Sequence, residues 1–234
     1  GWENMKADLS YKNLNGLYLS NANLYGANLN NANLRKAHLK NADLREANLS
    51  NADFRNADLI NANLAYTDLR NADLKEANIR KANLREANLS NANLRSANLN
   101  NVNLREANLY RAFCCYTNLC GVDLRNADLS EADMYGANLR DTNLFGVNLK
   151  NANIIYVEIS EDTKIDYPIA CPETGSFIGY KKAVCEYIVK LQICEDAKRS
   201  SATTKKCRCS KALVLAIENI DGSDSGLQEI ESIY

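Results

Sequence analysis

Leucine recurs at every fifth residue from Leu9 to Ile159 without a shift of phase, at 31 successive positions. Phe54, Ile79, Cys114, Met134, Ile154 and Ile159 are the only substitutes. Two residues before each stands a small residue, mostly Ala, with Thr67, Thr117, Thr142, Val102, Val122, Val147 and Val157 in its place elsewhere. Asn or Asp usually lies between the two. A period of five fits neither the 3.6 of a helix nor the 2.0 of a plain strand. It fits a short extended step followed by a corner. In an extended step, residues two apart point the same way. The small residue and the Leu therefore face inward, and the Asn or Asp between them faces water. The remaining two residues must turn the chain. The second of them is Gly at Gly16, Gly26, Gly121, Gly136 and Gly146, and Asn at many others, such as Asn21, Asn41 and Asn61. Both types tolerate the positive φ of a type II turn. Glu and Lys at other corners predict a second turn type there.

This A(N/D)LXX pattern, running over residues 7–160, closely resembles the pentapeptide repeat family. The resemblance implies an all-β fold, a right-handed quadrilateral β-helix with four pentapeptides per 20-residue coil. The repeats then make nearly eight coils, a rod about 37 Å long at roughly 4.8 Å per stacked strand. A large residue at the small position overfills such a tube, at a cost of about 1–3 kcal/mol. Lys12 and Leu17 break the rule, both in the first coil. With Trp2, Met5, Tyr11 and Tyr18 nearby, that end reads as a cap, as expected of a terminal repeat, and residues 1–6 are assigned to it. The unbroken phase excludes leucine-rich repeats, whose unit is about 20–29 residues long.

Composition narrows the partners. Net charge is −1, so no global charge drives the chain to nucleic acid or an anionic membrane. The repeats hold 17 Lys and Arg against 16 Asp and Glu. Arg columns such as Arg45, Arg85, Arg105 and Arg125 carry acids beside them, including Glu46, Glu86 and Glu106, and are expected to be solvated and charge-balanced. The best known family members inhibit or protect DNA gyrase by imitating duplex DNA with an acidic surface. This rod is near neutral, and Asp fills only nine of the 31 middle positions, so the likeness to that subgroup is poor. No apolar run is long enough for a membrane span or a signal peptide. Eight Cys without scaffold-like spacing fit a reducing compartment, so a cytoplasmic location is expected. The start at Gly1-Trp2 rather than Met suggests a lost upstream piece.

After residue 160 the phase ends. Ser176–Ala183 reads as the start of a strand or hairpin. Tyr187–Ile193 alternates with Tyr187, Val189, Leu191 and Ile193 on one face, and the run ALVLAI after Cys209 is also strand-like. Glu195–Lys206 reads as a loop, with its Lys and Arg residues in a solvated turn, and the tail from Asp221 as loop with a frayed end. Residues 161–234 are thus expected to form a small β-rich domain. The stretches GSFIGYKKA, IVKLQI, EDAKRSS and KCRCSKALVL resemble an uncharacterised domain found behind pentapeptide repeats in bacterial and phage proteins. A Gly-Ile-His-Phe-Phe-like motif usual in that domain is missing, which suggests a truncated form. The resemblance carries no catalytic residues across.

Chemistry-bearing groups are sparse. His38 is the only histidine and sits at an outward middle position, so a His-based metal site or triad has no support. No Cys-x-x-Cys pair occurs, and spacing does not support a Cys-only zinc site. No phosphate-cradling Gly loop is present. No catalytic, cofactor or metal residues are expected. One face is irregular: Phe113, Cys115, Tyr116, Tyr135, Ile155 and Tyr156 should cluster on it, and exposed clusters of this kind mark interfaces. The C-terminal domain is expected to dock there, with a partner protein or a dimer as the other occupants. The chain therefore reads as a non-catalytic scaffold for a protein partner. A gyrase-directed DNA mimic is the alternative, and a site in the C-terminal domain a further one.

Overall fold

The computed structural model describes residues 6–160 and 162–165 and five later strands, with side chains in residues 6–160 and 162–164. Two compact units divide the chain, Gly1–Asp166 and Tyr167–Tyr234.

In the first unit every middle residue pairs with the one 20 positions on, in parallel, from Asp8 with Asn28 to Asn138 with Glu158. Four pentapeptides therefore close one coil of a β-helix. The inward positions make one continuous core. Central residues from Leu24 to Leu144 and small residues from Ala27 to Thr142 are buried. Buried Thr hydroxyls are satisfied within it: Thr67 Oγ1 donates to the Leu64 carbonyl at 2.7 Å, Thr117 Oγ1 to that of Leu94 at 2.8 Å, and Thr142 Oγ1 to that of Leu119 at 2.9 Å. In the first coil Lys12 and Leu17 are exposed, so neither overfills the tube.

Buried backbone amides must find partners, and the repeat supplies one for each of its five. The repeat Ala27-Asn28-Leu29-Asn30-Asn31 is representative. Ala27 N closes the preceding turn on the Leu24 carbonyl at 3.0 Å, and Asn28 N donates to Ala7 of the preceding coil at 2.8 Å. Leu29 N and Asn31 N donate to Asn48 and Ser50 of the next coil at 2.7 and 3.0 Å. The fifth amide, on the first corner residue, is taken by the middle side chain: Asn30 N donates to Asn28 Oδ1 at 3.3 Å. Every Asn or Asp at a middle position except Asn78 accepts this bond. Asn and Asp are thus required at the middle position as local backbone acceptors, beyond their affinity for water.

The corners correct one expectation. At Glu and Lys the second corner residue keeps the positive φ found at Asn and Gly, not the negative φ that those residue types prefer. Glu46, Lys36, Lys81 and Tyr116 adopt φ of 57°, 53°, 58° and 55°, the same region as Asn21 at 60° and Gly136 at 63°. The reason is the ladder. Each second corner amide is held by the next coil, as Glu46 N is by the Ala65 carbonyl at 3.1 Å. That bond and the turn closure offset the roughly 1–2 kcal/mol that a left-handed residue with a Cβ costs.

The coil path also runs past the last in-phase repeat. Strand β1 (Asn143–Leu144) pairs in parallel with β2 (Lys164–Ile165), Leu144 opposite Ile165. Ile159 to Ile165 is a step of six, which the five-residue phase does not follow. Thr163 nevertheless occupies the small position, its Oγ1 donating to the Leu139 carbonyl at 3.0 Å.

The second unit holds β3 (Phe177–Lys182), β4 (Tyr187–Ile193) and β7 (Ala212–Asn219) in an antiparallel sheet of order β3-β4-β7. Its register shifts at Lys190/Leu191. Inside the stretch expected to be loop lies β5 (Arg199–Ser200), which pairs antiparallel with β6 (Arg208–Cys209) just beyond it. The tail from Asp221 lies outside the described residues.

Candidate functional site

Three of the six singled-out side chains meet. Tyr135 stands edge-on to Tyr116, ring centroids 5.5 Å apart, and to Tyr156 at 5.2 Å. The positions follow from the coil: Tyr116 and Tyr156 are second corner residues two coils apart, and Tyr135 is the first corner residue of the coil between. Gly136, which follows Tyr135, makes room. A Cβ there would lie 2.8 Å from Tyr116 Cδ1. Burial and the neighbouring tyrosines push the Tyr135 phenol up. Tyr116 is 60% exposed, and Tyr156 and Ile155 are exposed beside it. Edge-to-face pairs of this kind contribute about 0.5–1.5 kcal/mol each beyond buried area, so the cluster is a preformed aromatic ridge.

Phe113 and Cys115 are placed differently. Phe113, 49% exposed, lines a shallow depression of about 400 Å³ with Asn71, Asp73, Asn91, Asn93 and Arg95. Its aromatic ring cannot accept the corner amide as Asn does, and Cys115 N has no side-chain acceptor there. The Cys115 thiol instead lies 3.0 Å from Asp133 Oδ2. Burial, then that hydrogen bond, pushes it up to about 11. Cys114 is a buried core residue, pushed up to about 12 by burial. Cys171, Cys185, Cys194, Cys207 and Cys209 have no described side chains.

Many of the charged corner residues are ion-paired, with partners that adjacency alone did not give. Arg45 binds Asp43 at 2.6 Å rather than Glu46. Arg70 binds Asp68 and Arg125 binds Asp123 in the same forked way. Arg85 and Arg105 do pair with Glu86 and Glu106, both at 2.8 Å. Lys75 turns to Glu76 at 3.4 Å, leaving Asp73 to Arg55 at 3.6 Å. Among the described residues no cluster of His, Cys, Asp and Glu could hold a metal ion, and no helix is long and apolar enough to cross a membrane. The depression at Phe113 brings no nucleophile and base together.

The pentapeptide repeat family matches residues 5–41 and 107–151, and a pentapeptide repeat region matches residues 32–109. Residues 167–234 match a family of unknown function, DUF5758. No curated protein matches the chain. Among solved structures, Rfr23, a pentapeptide repeat protein from the cyanobacterium Cyanothece 51142, is 39% identical over 40% of this chain, with a TM-score of 0.40. The match spans 64% of the length of Rfr23. QnrB1, a plasmid-mediated fluoroquinolone resistance protein, is 16% identical over 67% of this chain and 91% of its own, TM-score 0.41. A pentapeptide repeat protein of the Arabidopsis thaliana thylakoid lumen is 30% identical over 42% of this chain and 68% of its own, TM-score 0.28. With its five-residue phase and its 20-residue coil, the chain belongs to the pentapeptide repeat family.

Proposed function

We propose that residues 7–160, a right-handed rod of nearly eight coils, are a non-catalytic binding module for a protein partner. The contact corner is Tyr116, Tyr135, Ile155 and Tyr156, with Phe113 and Cys115 on the adjoining face. The observation that carries this reading is the aromatic ridge itself. Its three rings pack against one another, whereas the other exposed corner aromatics, Tyr11, Tyr25, Tyr66 and Phe145, stand apart from one another among polar residues. Aromatic anchors in a polar surround are the usual centre of a protein interface.

A DNA-mimicking surface needs uncompensated carboxylates in a row. Asp43, Asp53, Asp68 and Asp123 are instead each forked by the arginine two residues on. This favours the binding-rod reading over a gyrase-directed one.

The test is capture by the full chain and by a variant carrying Phe113→Asn, Tyr116→Asn, Tyr135→Arg and Tyr156→Asn. Each substitution installs a residue that the same repeat position already carries elsewhere in the rod, so the coil is kept. Partners held by the native chain and lost to the variant are expected. An unchanged set of captured proteins would overturn the assignment. Nitration of Tyr116 and Tyr156 in the free monomer is a second readout, and protection there would give the corner to this chain's own residues.

A further inference from the structure

A different face of the rod carries a second, chemically distinct surface. Its middle positions run Tyr18, His38, Asp58 and Asn78. At Tyr18 and His38 the side chain cannot play the Asn role, and neither Ser20 N nor Lys40 N has a side-chain acceptor, two losses in successive coils of one column. What stands in their place is an aromatic stack. The two rings lie 4.5 Å apart and 5° from parallel, and Tyr18 is 85% exposed.

The charges beside the stack differ from most of those elsewhere. Arg35 and Lys36 border the face on one side, and Lys40, Arg80 and Lys81 on the other. All five are exposed, and among the described residues none lies within salt-bridge distance of a carboxylate. On the other corners Arg45, Arg70, Arg85, Arg105, Arg111 and Arg125 are all paired. The acids near this face are few: Asp58 on it, whose Oδ1 takes the Ile60 amide, Glu76 on its edge, engaged by Lys75, and Asp53 beyond that edge, forked by Arg55 and also felt by Arg35. Lys40 and Arg80 are two coils apart, about 10 Å along the rod.

The geometry points to this face as a binding surface for single-stranded nucleic acid, independent of the tyrosine corner. Two requirements are met together. Planar bases gain by continuing a parallel aromatic stack whose outer ring is open, and a row of cations outside any salt bridge attracts phosphates. An acidic peptide would use the cations and leave the stack unused. A duplex would offer its paired bases only through a groove, and the flat face has no element that enters one. The near-neutral total charge does not oppose this, because many of the acids that balance it are ion-paired on other faces.

The experiment is fluorescence anisotropy of the full chain with a labelled oligothymidylate of about 15 nucleotides, with polyglutamate as competitor. Binding is expected at 50 mM salt, weakening at least tenfold by 200 mM. The pair Tyr18→Asn and His38→Asn restores the repeat's own acceptor and should keep the fold, checked by circular dichroism, while weakening binding at least fivefold. Lys36→Gln with Lys40→Gln should flatten the salt dependence. Absence of binding at 50 mM salt would overturn the proposal. So would binding that Tyr18→Asn and His38→Asn leave unchanged and that polyglutamate displaces equally well, which would assign the face to an acidic protein.

Discussion

Tyr116 packs its ring where a side chain on Gly136, one coil further along the same corner, would begin. Gly136 also holds φ at +63°. Gly136→Ala therefore combines a left-handed residue bearing a Cβ with a contact of 2.8 Å to an aromatic ring, and should destabilise the rod by about 1–3 kcal/mol. Gly16 has φ of +66° with nothing within 4 Å of a Cβ, and Gly16→Asn should be close to neutral. Urea denaturation of both variants checks the contrast, and equal effects would remove the steric role given to Tyr116.

Phe113→Asn should stabilise. It returns an acceptor to Cys115 N, a bond formed after every other Asn or Asp at this position bar Asn78, and it withdraws an exposed ring from water. One recovered hydrogen bond contributes about 0.5–1.5 kcal/mol. A lower thermal midpoint for the variant would mean that Phe113 is held by packing in its depression.

Ala97 sits fully inside the tube and Leu17 is exposed in the first coil. Ala97→Leu should overfill the coil and cost about 1–3 kcal/mol, whereas Leu17→Ala should change stability by under about 0.5 kcal/mol. Comparable losses in chemical denaturation would show that the first coil is packed as tightly as the middle.

Acid should weaken the rod through its Arg-forked carboxylates. The hydrogen bond from Arg70 holds Asp68 below its ordinary 3.8, and Arg45 and Arg125 do the same to Asp43 and Asp123. A folded-state value below the unfolded one gives stability that is complete above about pH 4 and fades as pH falls through the folded value. These pairs are partly solvated, so each contributes little. The thermal midpoint should stay level from pH 7 to 5 and drop below pH 4, less so in Arg70→Gln. A midpoint unchanged down to pH 2 would contradict the linkage.

Cys115 should alkylate slowly at pH 7.5. Burial and the Asp133 hydrogen bond push its thiol up to about 11, and the thiolate is the reactive form. Asp133→Asn should raise the iodoacetamide rate at Cys115, read by mass spectrometry, and no change would leave burial as the sole cause.

The five-residue phase was legible because inward packing is a one-dimensional property: a residue two positions before each Leu must be small wherever the chain stands. The corners were less so. Glu46 and Lys81 suggested a different turn because their intrinsic preference disfavours positive φ, and only the bonds from the neighbouring coil override it. The Asn and Asp side chains as amide acceptors were also missed, although their regular placement two residues before each corner amide carried the signal.

The sequence by itself determined the coil, its core and the extra aromatics at positions 113 to 156, since each depends on the identity and spacing of residues along one repeat. The tertiary structure decided which side chains meet across coils. Tyr116, Tyr135 and Tyr156 interlock while Phe113 lines a separate depression, and Tyr18 stacks on His38. It also decided which cations are ion-paired with a neighbour and which face keeps them unpaired. Ring orientation and ion pairing are set by rotamers and by groups 20 residues away, and a near-zero sum of charges is blind to where the pairs form.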